Sequence, residues 1–140
     1  MTQELFSLMW LVGDRVATAR FDSESETWSI GFASGSTLRI DCMWRLLEDG
    51  VIACTSFDHK HQFGLPKPFD GEAALLEMSQ YLVSGVHLRE GTSDLSVSFE
   101  EDFVLEVVPT SAGYESWSAS HPHLGRVICA SGGELHAMRA

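Results

Sequence analysis

Trp28-Ser29-Ile30-Gly31-Phe32, then Ala33-Ser34-Gly35-Ser36, then Leu38-Arg39-Ile40, reads as a β-hairpin. Apolar and polar residues alternate on both sides of the turn, the period of a strand with one buried face and one wet face. The Gly-containing tetrapeptide supplies the turn. The pattern returns as Leu95-Ser96-Val97-Ser98-Phe99 and Leu105-Glu106-Val107, joined by Glu100-Glu101-Asp102. From Trp28 to Leu95, Ile30 to Val97, Phe32 to Phe99, Leu38 to Leu105 and Ile40 to Val107, the offset is 67 residues throughout.

The likeness continues outward. Trp44 leads through Glu48-Asp49-Gly50 to an apolar strand at Val51-Ile52-Ala53-Cys54-Thr55-Ser56. Trp117 leads through His121-Pro122-His123 to Val127-Ile128-Cys129-Ala130-Ser131. Upstream, Leu5, Phe6, Leu8, Met9 and Val12 recur at helical spacing and run into Gly13, a C-cap residue. Asp70 is placed to cap a helix through Glu72–Leu82 that ends near Gly85. Strands start at Val16-Ala17-Thr18-Ala19 and Val86-His87-Leu88.

The chain therefore reads as an α+β fold of two related halves, each a short helix followed by an antiparallel β-meander. The halves cover about residues 1–56 and 70–137, with a Pro-containing linker at 57–69 (Pro66, Pro68), in one mostly β domain spanning 1–140. A chain of this length buries about two thirds of its unfolded surface without staples.

Composition narrows the function classes. Twenty Asp and Glu against nine Lys and Arg give a formal charge of −11. Such a field repels nucleic acid and anionic lipid and speeds encounters with basic partners. Arg15, Arg20, Arg39, Arg45, Arg89 and Arg126 are scattered, with no basic stripe. No apolar run approaches a membrane span, and Met1-Thr2-Gln3-Glu4 carries no basic segment before an apolar one, so a cytoplasmic protein is expected. Cys42, Cys54 and Cys129 sit among apolar neighbours and read as core thiols.

Several strings invite chemistry. His59 and His61, in Asp58-His59-Lys60-His61, share a face if the segment is a strand, which would be half of a zinc site. No further ligands are identifiable, and no metal or cofactor is expected. His121 and His123 are placed in a loop by Pro122. No Gly-x-Ser-x-Gly elbow is present. Gly132-Gly133 is followed by Glu134-Leu135, which suits a turn closing a final hairpin rather than a phosphate loop. Trp10 and Trp28 fall on apolar stripes, and Trp44 and Trp117 stand at matching anchor positions. The carboxylates Asp22, Glu24 and Glu26, with Glu100, Glu101 and Asp102, read either as solvated turns or as an acidic recognition surface, and on the second reading Asp58 joins them as a candidate partner contact.

Tyr114-Glu115-Ser116-Trp117, the opening Leu11-Val12-Gly13-Asp14-Arg15-Val16 and the terminal strand–Gly132-Gly133–strand resemble a family of small bacterial proteins of unknown function. The resemblance covers most of the chain, although Leu82-Val83-Ser84-Gly85-Val86 departs from the opening motif. Similar small acidic proteins stand beside polymorphic toxins and act as immunity proteins. The resemblance thus implies a non-enzymatic binding protein that neutralises a toxin domain with a basic surface. Two other readings stay open. One is an enzyme or small-ligand protein with a site between the halves, for which His59, His61, Tyr114 and Trp117 are the first candidates. The other is a scaffold that self-associates through a sheet edge.

Overall fold

Alternating strands with one apolar face must bury that face against another layer, and two sheets satisfy the requirement here. The structure, a computed structural model, describes residues 2–140; Met1, where the leader reading begins, lies outside them. The strands are β1 (Val16–Asp22), β2 (Thr27–Phe32), β3 (Thr37–Ile40), β4 (Met43–Glu48), β5 (Val51–Thr55), β6 (Val83–Leu88), β7 (Leu95–Phe99), β8 (Phe103–Val108), β9 (Trp117–His121), β10 (Gly125–Cys129) and β11 (Leu135–Arg139). All ladders between them are antiparallel. One sheet runs β1-β2-β3-β9-β10-β11 and the other β5-β4-β8-β7-β6. A single apolar cluster holds the inward residues of both, from Trp28, Ile30 and Ile40 to Trp44, Val97 and Val107.

The expected pairs form. Trp28 faces Ile40 and Ile30 faces Leu38, while Leu95 faces Val107 and Val97 faces Leu105. The 67-residue offset extends back to β1 and β6: Val16 faces Phe32 as Val83 faces Phe99, each beside a one-residue register shift. Adding 67 to either member of the first pair gives the second.

A continuous meander within each half does not form. β4 pairs with β8 rather than β3, and β9 pairs with β3 rather than β8. Each half thus gives its last hairpin to the other half's sheet. Trp44 stands opposite Val107, and Trp117 stands opposite Ile40. The chain leaves the first sheet through Asp41–Cys42 and returns through residues 109–116, and Asp41 N donates to Ser116 O at 2.8 Å where the crossings meet.

The helices are shorter than their periodicity predicts. α1 covers Thr2–Ser7 only. Leu8 then turns left-handed (φ 56°), and a 3₁₀ turn follows at Met9–Leu11. Ser7 causes this locally: its Oγ donates to Glu4 O and accepts from Met9 N, competing with the helical ladder. α2 covers Gly71–Glu77, continues as a 3₁₀ turn to Gln80, and is capped by Asp70, whose side chain accepts from Ala73 N. Gly85 lies inside β6 rather than at a helix end. α2 lies along the edge strand β1, where Glu72 Oε2 accepts from Phe21 N at 2.9 Å. No helix among the described residues is long and apolar enough to cross a membrane.

Candidate functional site

Where the chain passes between the sheets, a cleft of about 780 Å³ opens to solvent. Its walls come from the end of β1 and the start of β2 (Phe21, Trp28), the first crossing (Asp41, Cys42), and residues just beyond β5 and β8 (Phe57, Tyr114). Phe57 is 68% exposed and Tyr114 54%, so two aromatic faces stand in water beside the opening.

The matched tryptophans account for part of this opening. Trp117 Nε1 donates to Ser93 O at 3.0 Å, seating the β6–β7 turn on the indole. The residue 67 positions before Ser93 is Glu26, and both have left-handed backbone (φ 59° and 55°). Yet Trp44 Nε1, fully buried, has no hydrogen-bond partner among the described residues. The β1–β2 turn is not tied to its indole as the β6–β7 turn is, and Glu26 lines the cleft instead.

Three carboxylates face the cleft: Glu26, Asp41 and Glu115. Asp41 Oδ1 accepts from Thr27 Oγ1 at 2.5 Å, and its Oδ2 accepts from Arg39 Nε at 3.2 Å. Among the described residues Arg39 is the one cation of the lining, so the cleft carries excess negative charge. Asp22 and Glu24 line an adjoining groove that shares Phe21, Ser25, Thr27 and Arg39 with it. Cys42 also lines the cleft, but burial, with Cys129, Asp41 and Asp94 nearby, pushes its thiol up to about 12. It remains a neutral thiol near pH 7 and a poor nucleophile.

The predicted partner residues divide into two groups. Asp22, Glu24 and Glu26 share the turn beside the cleft. Asp58 follows Phe57, but its carboxylate is committed: Oδ2 accepts from Thr55 N at 2.9 Å and from Thr55 Oγ1 at 3.3 Å. Glu100, Glu101 and Asp102 lie elsewhere. Glu100 Oε1 accepts from Leu82 N, and the neighbouring Val83 N donates to Asp14 O, just before β1 begins. The Asp22–Glu26 turn is at the far end of that strand, roughly 20 Å along it. No single acidic face unites the two turns.

His59 is a packing residue. Its Nδ1 accepts from Gly71 N at 2.9 Å, and its ring meets Phe21 and Trp28 edge-on at 5.0 and 4.8 Å. Burial holds its pKa below the usual histidine value, which favours the neutral ring. His61 stacks on exposed Phe63. Among the described residues no group of three or more His, Cys, Asp or Glu is arranged to hold a metal. Trp117 is buried, so of the four residues considered for a small-ligand site only Tyr114 reaches the cleft. Asp41, Glu115 and Phe57 were not singled out by the sequence; Glu115 lies inside the Tyr114–Trp117 segment, but nothing local marks the other two.

A family model described as a family of unknown function (DUF6188) matches residues 7–139, and the chain belongs to that family. No curated protein and no solved structure matches the chain.

Proposed function

We propose that this member of an unknown-function family is a non-enzymatic binding protein that receives a basic segment of a protein partner in the cleft between its sheets. One observation carries the reading: exposed Phe57 and Tyr114 flank an opening whose charged lining is three carboxylates and one already paired arginine. Arg or Lys side chains suit such a place, because carboxylates accept charge-assisted hydrogen bonds and aromatic faces attract cations. The overall charge of −11 steers a basic partner toward the chain from a distance. The finer form of the reading is an immunity protein that blocks the basic active surface of a toxin domain. Asp22, Glu24 and Glu26 extend the contact beyond the cleft in that case.

The test is association with the recombinant product of the adjacent gene, followed at increasing salt. The on-rate falls steeply with ionic strength, and Phe57→Ala and Tyr114→Ala each weaken binding about tenfold or more. A partner that binds equally well at high salt, or that ignores both substitutions, refutes the assignment of this cleft. A second reading draws on size, since 780 Å³ falls within the usual range for small-molecule sites. A small cationic ligand competing with the protein partner would favour it.

A further inference from the structure

The outer face of the six-stranded sheet has a composition unlike the rest of this acidic chain. Register places Arg20, Ser29, Arg39 and Ser118 in one cross-strand row over β1, β2, β3 and β9. The next row runs Thr18, Gly31, Thr37, Ser120 and Arg126. Neither row contains a carboxylate, although the chain has twenty. Three of its nine Lys and Arg stand here. Arginines separated by 19 and 87 residues in sequence are gathered because each occupies the polar phase of its strand.

The rows surround a depression of about 370 Å³. Gly31 makes room for it: a Cβ at that position would collide with Thr18 Oγ1. Five hydroxyls line the hollow, from Thr18, Ser29, Thr37, Ser118 and Ser120. Ser118, 6% exposed, accepts from Arg126 Nη2 at 3.4 Å, which directs that guanidinium along the face. Arg39 is neutralised by Asp41 at the cleft side. Among the described residues Arg20 and Arg126 form no ion pair.

We infer that this depression binds the phosphoryl group of a small phosphate ester, with Arg20 and Arg126 as the charge partners and the hydroxyls as neutral donors. Guanidinium forks match the oxygens of a tetrahedral dianion. Hydroxyl donors complete the shell without adding charge. A small ester suits the site better than a nucleic acid, because the field of the whole chain repels an extended polyanion. The depression meets the acidic cleft at Arg39, which lines both, and the row Asp22–Thr27 with Asp41 lies between their centres.

The experiment is a titration of the full chain with inorganic phosphate at constant ionic strength, followed by backbone amide shifts. Saturable shifts centred on Ser29, Gly31 and Ser120, with a dissociation constant below about 10 mM, are expected. Arg20→Gln and Arg126→Gln each weaken binding about tenfold, whereas Lys67→Gln, which removes the same charge from the linker, leaves it unchanged. Three results overturn the inference: no saturable shift on this face, equal weakening by all three variants, or displacement of phosphate by equimolar acetate. The first two dismiss the site, and the third dismisses its phosphoryl selectivity. None depends on the protein partner of the cleft, so failure here leaves that proposal standing.

Discussion

Gly71→Ala is a sharp test of how the cleft wall is packed. Gly71 opens α2 with ordinary right-handed backbone, so alanine meets no φ penalty there. Helix propensity alone favours the change by about 0.5–1 kcal/mol. Packing opposes it. The new Cβ would stand 2.6 Å from Trp28 Cη2 and 3.3 Å from His59 Nδ1. Trp28 has little room to retreat, since its ring lies 4.6 Å from Phe21, 4.8 Å from His59 and 5.1 Å from Trp44. Overpacking of a filled core costs about 1–3 kcal/mol. The clash therefore outweighs propensity, and a net loss of about 1–2 kcal/mol is expected, or roughly 3–6 °C in Tm for a chain of this size. Urea unfolding at pH 7.5 measures it. In a Trp28→Phe background, where Cη2 is gone, the same substitution should cost at least about 1 kcal/mol less. A stabilising Gly71→Ala, or an equal cost in both backgrounds, would refute the reasoning.

Stability should fall as pH drops from 7.5 to 5.5: the folded state lowers the pKa of His59, so below about 6.5 the unfolded chain binds its proton first. Urea midpoints at the two pH values read the slope, and His59→Gln should flatten it; an unchanged slope contradicts the assignment. Burial raises the thiols of Cys42, Cys54 and Cys129 to about 12, 11 and 11, so a thiol-specific disulfide reagent at pH 8 should react slowly with native protein and fully in urea. A thiol that reacts natively within the mixing time would show otherwise. Trp117→Phe should cost about 1 kcal/mol more than Trp44→Phe, because the Trp117 indole donates to Ser93 O whereas the Trp44 indole has no partner among the described residues. Equal costs in thermal melts would count against that asymmetry.

The hairpins were legible because alternation reports which face of a strand is buried; the sequence places the second opening strand at Val86, and only its pairing with β7 shows that it starts at Val83, 67 residues after Val16. Asp70 was legible as a cap because its chemistry is local. Partner choice was not: Ile40 and Val107 satisfy alternation equally well whether β4 or β9 lies beside them. Two short crossings, at residues 41–42 and 109–116, decide the pairing, and neither has a pattern of its own. The helix lengths failed at Ser7, where a side-chain hydrogen bond interrupts a correctly placed apolar period. At the cleft, the Asp22–Glu26 turn was found by its charge, whereas Asp41 is an isolated acid and Phe57 an isolated aromatic. The arginine face was hidden by sequence distance. Sorting every strand residue by phase gathers Arg20, Arg39 and Arg126 on one face.

The exchange of hairpins also sets the order in which the molecule can be made. β3 ends at Ile40, and its neighbour β9 begins at Trp117. At about 5–20 residues per second, a ribosome needs roughly 4–15 s to deliver the second strand after the first. Such distant pairings raise contact order and slow folding. Once β3 and β4 have emerged, each carries a sheet edge whose partner, β9 or β8, has still to be synthesised. Chaperone occupancy at that stage would be a property of the topology, and reversing the order of the halves would leave it unchanged.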